Sequence, residues 1–537
     1  MKACEAMVKC LEKENVKVVF GYPGAAICPF YDSLLDSKIR HILVRHEANS
    51  AHAANGYARI TGKPAVCIAT SGPGATNLIT GIATAYMDSI PLVVITGQVN
   101  CDQIGRDVFQ EADITGAAEP FVKHSYLVKN AQDIPRIFKE AFYIAGSGRP
   151  GPVLIDLPFD IQNTEIKFDY PKEIDIRSYK PTGKGNNLQI KRVISALEEA
   201  KRPLICAGGG IFLSHAKDEL LALSEKCKIP LIVTMMGLSA VADDYPLYFG
   251  MLGMHGKSIA NKALNDCDLL ILIGARVGDR AVRSPVFLQE TTKIIHIDID
   301  PAEIGKNIGA NIPVVGDAKL ILRQITDSAE PMKHTEWIEH LISLNKVSKY
   351  NNPEKGYINP MWFIAELSEK MPEGCILSAD VGQNQIWASN NYRFKKGDRF
   401  ITSGGMGTMG YAIPAAIGAK LADKECEVIA VCGDGGFQMQ MMELATAVAH
   451  DISVKIIVMN NSSLGMVREY QAKSYNGRLS AVILDRNPDF VALAQAYGIE
   501  AMRVNDEKSA RLVIEKLSSS KKVMLIECVV NPDDPTL

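Results

Sequence analysis

A chain of 537 residues is too long for one hydrophobic core, and its length suits three or four domains. With 47% hydrophobic residues, 22% charged and a net charge of −3, it has the composition of a soluble globular protein, without the basic excess that nucleic acid or an anionic membrane would ask for. The N-terminal stretch MKACEAMVKCLEKENVKVVFGYPG has no apolar signal core, no apolar run approaches the roughly 20 residues of a membrane span, and the 12 cysteines form no C-x-x-C pair, so a reducing cytoplasm is the expected setting.

In chain order, residues 1–162 alternate strands with helices: VKVVFGYPG, HILVRHE, PAVCIATSGPG, PLVVITG and PVLIDLP read as strands or strand ends of a doubly wound parallel sheet. EIKFDYPKEIDIRSYKPTGKGNN carries Pro, Gly and charge without apolar period and reads as a linker. Residues 186–325 alternate again through RPLICAGGG, LIVTMMG, DLLILIGAR and KIIHIDIDP. A helix around Trp337–Leu344 and a polar tail to residue 356 form a second linker, and residues 357–537 make a third α/β domain. The expected fold class is α/β, with three doubly wound parallel-sheet domains.

The third domain holds the stretch around which the chain is organised, Glu427 to Met466. Glu427–Asp434 and Val454–Asn461 are strand-length apolar runs, and Met441, Leu444, Ala445 and Val448 between them have the spacing of one buried helix stripe. A right-handed βαβ unit places both strand ends on one edge, where ligands of open α/β sheets bind. Asp434 and Asn461 then present a carboxylate and an amide oxygen together, hard ligands suited to Mg²⁺. Gly433, Gly435 and Gly436 let the backbone approach phosphates. GDG alone is equally a plain strand-to-helix turn. The 24 residues separating it from Asn460–Asn461 make the pattern similar to that of thiamine diphosphate (ThDP) enzymes.

In the first domain, Glu47 lies where the strand HILVRHE meets the helix ANSAHAANGYAR. Taken alone it reads as a capping or surface carboxylate paired with Arg45. With ThDP in view, a buried carboxylate against the pyrimidine N1′ shares a proton there, and burial raises its pKa. The turns Gly21–Gly24 (Tyr22, Pro23, Gly24) and Ser71–Gly74 (with Pro73, and Asn77 beyond) flank the same sheet edge. They suit a pyrimidine ring, and they are also ordinary tight turns.

GYPGAA, RHEANSAHAANGYAR, TSGPGATN, IGRDVFQEAD, SGRPGPVLIDLP, GMLGMHG, HIDIDPAEIGKN, VGQNQIW, SGGMGTMGYAIPAAIGA and GDG…NNSSLGMV together resemble the acetohydroxyacid synthase (acetolactate synthase) family, from about residue 3 to 525. The resemblance implies a carboligase that decarboxylates pyruvate and adds the hydroxyethyl carbanion to a second 2-keto acid, giving 2-acetolactate. It implies Glu47 as the N1′ carboxylate and Mg²⁺ on Asp434, Asn461 and the carbonyl of Ser463. Met409 would hold ThDP bent, while Val381, Gly382, Gln383, Asn384 and Gly407 line the diphosphate alongside Leu464, Gly465 and Met466. Phe109, Gln110, Lys123 and Arg280 match the substrate channel. The glutamate and GDG domains of the family meet across a dimer interface, so a homodimer or dimer of dimers is expected, and a small regulatory subunit is left open. The His-His pair of pyruvate decarboxylase-like enzymes is missing, and Glu47 stands where glyoxylate carboligase has an aliphatic residue.

The middle domain resembles the family's FAD domain, with FAD contacts implied at Arg149, Gly208, Gly209, Gly210, Thr234, Met235, Leu252, Gly253, Met254, His255, Gly274, Arg276, Asp298, Ile299 and Asp317. AGGGIF is not a full G-x-G-x-x-G, and by itself it reads as a plain turn. Three features depart from the family. Its R-F-D-D-R reads Arg276-Val277-Gly278-Asp279-Arg280, which leaves a vestigial flavin site as the alternative. Tyr470 stands where biosynthetic members carry Trp, and the end ECVVNPDDPTL lacks most of the tail that folds over the active site. The last two departures are expected to touch substrate selection and water exclusion rather than cofactor binding. The rival readings are a flavin-linked pyruvate oxidase and a catalytically degenerate scaffold; intact Glu47, Asp434 and Asn461 argue against the scaffold.

Overall fold

A computed structural model describes residues 1–282, 285–344, 350 and 353–537, with the side chains of 285–287 left aside. The expected polar tail of the second linker falls largely on 345–349 and 351–352, outside the described residues. Three six-stranded parallel sheets carry the chain. The first comprises β1 Val18–Gly21, β2 Arg40–Leu43, β3 Ala65–Ala69, β4 Leu92–Gln98, β5 His124–Leu127 and β6 Pro152–Pro158 in the order 2-1-3-4-6-5. The second comprises β7 Pro203–Ala207, β8 Leu231–Val233, β9 Tyr248–Met251, β10 Leu269–Ile273, β11 Lys293–Asp298 and β12 Ile312–Val315, ordered 12-11-10-7-8-9. The third comprises β13 Ile376–Ala379, β14 Arg399–Thr402, β15 Val428–Gly433, β16 Lys455–Asn460, β17 Glu500–Val504 and β18 Met524–Val529. Its order, 14-13-15-16-18-17, repeats that of the first sheet. The fold class is α/β, as expected.

Helices cover both faces of each sheet, so central strands are apolar throughout rather than alternating. Leu92–Gln98 and Leu269–Ile273 are buried at every position. The first linker is not loose: Ile166 is buried, Tyr170 donates to Glu14 at 2.6 Å, and Ile176 and Tyr179 pack on the first core.

The first and third domains join through two helices, Glu47–Thr61 and Ala412–Ala422, whose small residues let the backbones touch. A Cβ at Gly56 would lie 2.0 Å from the Ala415 carbonyl oxygen, and one at Gly418 would lie 1.8 Å from that of Ala53. The Ala- and Gly-rich character of ANSAHAANGYAR and AIPAAIGA is therefore set by helix packing.

The helix between β15 and β16 differs from the sequence expectation. It is broken into Asp434–Gln438 and Glu443–Ala449, and its buried face is Glu443, Leu444, Thr446 and Ala447, while Val448 is exposed. The physical reason is polar. The Glu443 carboxylate turns inward to accept the Arg45 N–H at 2.9 Å, Asn49 Nδ2 at 2.9 Å and Thr446 Oγ1 at 2.6 Å, which rotates the helix away from its apolar stripe.

Candidate active site

The parallel register pairs Gly433 with Met459, so Asp434 and Asn461 leave adjacent strand ends on one edge of the third sheet. Asp434 is buried, and its carboxylate accepts Asn487 Nδ2 at 2.7 Å, with the backbone of Gly435 and Ser463 beside it. Burial pushes its pKa up to about 6. Asn461 Oδ1 accepts the Ser463 N–H at 3.2 Å, which closes the triad Asp434, Asn461 and Ser463. Among the described residues no cation is paired with Asp434. A buried carboxylate with only neutral donors, next to an amide and a carbonyl oxygen, fits a hard divalent cation.

The three glycines of the turn each face a different wall. A Cβ at Gly433 would meet Asn384 Oδ1 at 3.3 Å; at Gly435, Leu464 Cδ2 at 2.7 Å and Met409 Cε at 3.5 Å; at Gly436, Asp380 Oδ2 at 2.8 Å. The structure thus gathers VGQN, Met409, Leu464 and the GDGG turn around one point. Gly407 (φ +69°) lies open in the same loop.

Asp380 was not among the expected residues, yet it holds this cluster together. Fully buried at the end of β13, it accepts the Val381 N–H at 2.8 Å, the Gly410 N–H at 3.0 Å and the Gln440 amide. Burial pushes its pKa up to about 6. Its one signal in the sequence is its place, a strand-end carboxylate immediately before VGQN. Asn487 and Glu443 gave no signal, because their partners lie far along the chain.

In the first domain, Glu47 opens its helix behind the N-cap His46, and its Oε2 accepts Asn77 Nδ2 at 3.0 Å. Cβ atoms at Gly24 and Gly74 would both strike the Thr70 side chain, at 2.5 and 2.7 Å, and the latter would lie 3.5 Å from Glu47 Oε1. Glu47, Gly24, Gly74 and Asn77 therefore converge about Thr70, with Tyr22 exposed beside them. The expected pairing with Arg45 is not formed; Arg45 Nη1 donates to the Leu43 carbonyl at 2.9 Å. The expected burial of Glu47 is not met within one chain either, since it is half-exposed at the open end of the sheet. A cleft of about 440 Å³ between the first and third domains is lined by His46, Asn49, Asn77, Met409, Gln438 and Met442 among others. Neither Glu47 nor the Asp434 triad lines it.

Gln110 (φ +59°) abuts Gly72, while Phe109 projects outward, 88% exposed. Lys123, expected on a channel, uses all three donors internally, on the carbonyls of Ile144 and Ser147 and on Tyr179 Oη, and burial lowers its pKa to about 8. Arg280 is exposed and reaches Met254 Sδ at 3.5 Å. Burial lowers the His255 pKa, with Arg280 adding to the shift and Glu469, on the helix Gly465–Ser474 that carries Tyr470, opposing it. Tyr470 is exposed, its ring centroid 6.0 Å from that of Tyr475.

In the middle domain the turns after β7 and β10 meet. A Cβ at Gly208 would lie 2.3 Å from the Gly274 carbonyl oxygen, and one at Gly210 would lie 2.6 Å from its Cα, so the packing of the two turns accounts for these glycines. Arg149 bonds Ser89 at 2.9 Å, Glu303 at 2.7 Å and Asp300 at 3.1 Å, joining the first and middle domains. Asp317 caps the helix Ala318–Ser328. The C-terminal residues, expected to bear on substrate selection and water exclusion, bring the Asp534 carbonyl and Thr536 Oγ1 to Gln383 Nε2, both at 3.2 Å.

Among the described residues no helix is long and apolar enough to cross a membrane. Residues 1–117 match the family model of the thiamine pyrophosphate enzyme N-terminal TPP binding domain, residues 190–325 the central domain, and residues 380–528 the C-terminal TPP binding domain. The chain is 46% identical to a protein of Methanocaldococcus jannaschii described as "Probable acetolactate synthase large subunit", over 99% of this chain and 92% of that one. It is 43% identical to the acetolactate synthase large subunit of Corynebacterium glutamicum, over 99% and 87%. It is 44% identical to that of Buchnera aphidicola subsp. Schizaphis graminum, over 98% and 94%. Three domain models matched in order, together with this identity along nearly the whole length, show that the chain belongs to the thiamine pyrophosphate-dependent enzymes, in the acetolactate synthase family.

Proposed function

We propose that the chain condenses two molecules of pyruvate to 2-acetolactate and CO₂, with ThDP held through Mg²⁺ on Asp434, Asn461 and the Ser463 carbonyl. The observation that carries this reading is the buried Asp434 carboxylate, paired with no Lys or Arg among the described residues, beside a turn where Leu464 and Asp380 crowd any Cβ at Gly435 and Gly436. When bound, ThDP supplies the nucleophilic carbon and the electron sink for decarboxylation. The protein's own residues do the rest. The backbone of the GDGG turn would hold the diphosphate, since glycine lets it approach phosphate oxygens closely. Glu47, oriented by Asn77, would hold a proton at the pyrimidine nitrogen, and Met409 would pack against the cofactor. Tyr470 meets the acceptor keto acid.

The cleft between the first and third domains of one chain is lined by neither Glu47 nor Asp434, which supports a second copy completing each site, with the first domain of one protomer facing the third domain of the other. The relatives named as large subunits support a small regulatory partner. FAD is proposed as a structural group at the switch point between β7 and β10. The strand order, the turns 208–210 and 274–276 and the end of β11 at Asp298 fit a dinucleotide there. Anaerobic incubation of the purified protein with pyruvate, ThDP and Mg²⁺ tests the reading. Acetolactate should accumulate without an electron acceptor. Acetate formed only when an acceptor is supplied would overturn it in favour of an oxidase.

A further inference from the structure

Two side-chain amides in series connect the helix Gly465–Ser474 to the cation site. Gln383 is 5% exposed, and its Nε2 faces the Asp534 carbonyl at 3.2 Å, Thr536 Oγ1 at 3.2 Å and Glu469 Oε2 at 3.4 Å. A carbonyl and a carboxylate only accept, so Gln383 must turn its NH₂ toward them and its oxygen the other way. That oxygen meets Asn461 Nδ2 at 2.9 Å. Asn461 must therefore donate on this side, which leaves its Oδ1 on the far side, where the donor-only Ser463 N–H meets it at 3.2 Å. Both ends of the chain of bonds force the same orientation of both amides.

Glu469 is itself fixed. It accepts the Thr536 N–H at 3.2 Å and the Thr536 hydroxyl, and it pairs with Lys473. Trp387 Nε1 donates to the Pro535 carbonyl at 3.0 Å, and Arg468 holds Asp533 at 2.6 Å and the Pro532 carbonyl. Gly465 is pressed against the pair: a Cβ there would lie 1.9 Å from Gln383 Oε1.

We propose that Glu469, Gln383 and the segment 532–536 are positioning residues for the cation site. They hold the Asn461 amide so that its oxygen, and not its NH₂, faces the metal. This rests on the reading that Asp434, Asn461 and Ser463 hold the cation. It also couples the helix that bears Tyr470 to the metal anchor, because one carboxylate serves both.

The test is Mn²⁺ binding to the metal-free full-length protein at saturating ThDP, followed by electron paramagnetic resonance. Gln383→Leu and Glu469→Leu should each raise the Mn²⁺ Kd by about 10-fold or more, the scale on which outer-shell partners of metal ligands act. The double variant should add little to either, as expected of one chain of bonds. Glu469→Gln and Thr536→Ser, which keep an acceptor oxygen, should stay within about threefold, a rescue that a merely structural role would not produce. The milder Thr536→Val keeps the test usable if a leucine variant does not fold; it should weaken Mn²⁺ binding where Thr536→Ser does not. Asp434→Ala is the control. If it abolishes Mn²⁺ binding while folded Gln383→Leu and Glu469→Leu bind normally, the relay is overturned. If Asp434→Ala also binds normally, the cation site itself is misassigned.

Discussion

Asp88 of the first domain accepts the backbone N–H of Gly405 in the third at 2.7 Å. The same carboxylate takes the Gly404 N–H at 3.1 Å and the Arg59 guanidinium at 2.6 Å, with both charged side chains buried. The loop so captured, Ser403–Gly410, is also tied by Thr84 to Thr408 at 2.7 Å and by Asp380 to Gly410, and it presents Met409. The domain that carries Glu47 and the loop that carries Met409 are therefore one mechanical unit.

Asp88→Ala would leave the Arg59 charge buried without its partner and release two backbone N–H groups. The expected loss is about 3–5 kcal/mol, the scale for breaking one side of a buried pair. Urea unfolding measures it; a loss below about 1 kcal/mol would mean that the junction is held elsewhere.

Glu47→Gln keeps shape and hydrogen-bonding length but cannot exchange a proton with the pyrimidine nitrogen. We expect kcat to fall about 10²-fold or more while ThDP affinity is retained, since the diphosphate anchor lies in the other domain. Near-normal turnover would remove Glu47 from the acid–base role.

Asp156 in β6 is buried between Thr96 and Gln98, and burial pushes its pKa up to about 7. The folded state then binds a proton that the unfolded chain has released by about pH 4. This group's contribution to stability is greatest below that pH, falls as the pH rises toward 7 by up to about 1.4 kcal/mol per unit, and stays at its lower level above. In Asp156→Asn the titration is gone. The difference in unfolding free energy, wild type minus variant, should fall between pH 5 and pH 8; a flat difference would show that Asp156 titrates with the ordinary carboxylates.

FAD should make the purified protein yellow, and removing it should lower the thermal midpoint through binding linkage. Carboligation transfers no net electrons, so the flavin should not change redox state in turnover. A colourless protein active without added FAD would leave the middle domain with a vestigial site.

Tyr470→Trp should raise the preference for 2-ketobutyrate over pyruvate as acceptor. The larger ring offers more apolar area to the extra methyl, a contact worth about 1–3 kcal/mol, or roughly 10–200-fold. Competition between the two keto acids reads this out. An unchanged product ratio would mean that the exposed ring at 470 turns to Tyr475 rather than to the substrate.

The local chain by itself determined the strands, the two glycine-rich turns and the adjacent strand ends that carry Asp434 and Asn461. Parallel strands buried on both faces must be apolar runs, and a strand–helix–strand unit of that length must return both ends to one edge. Tertiary structure decided what long-range polar contacts impose. The helix after GDG was misread because Arg45 and Asn49, some 400 residues away, draw Glu443 inward against its apolar period. Asp380 shows in the sequence only by its place before VGQN, because its work is done on the backbone N–H groups of Val381 and Gly410, which no side-chain pattern records. The amide relay through Gln383 lay beyond reach for the same reason: its acceptors, Glu469 and the 534–536 segment, are 86 to 153 residues away along the chain and meet it only in the folded domain.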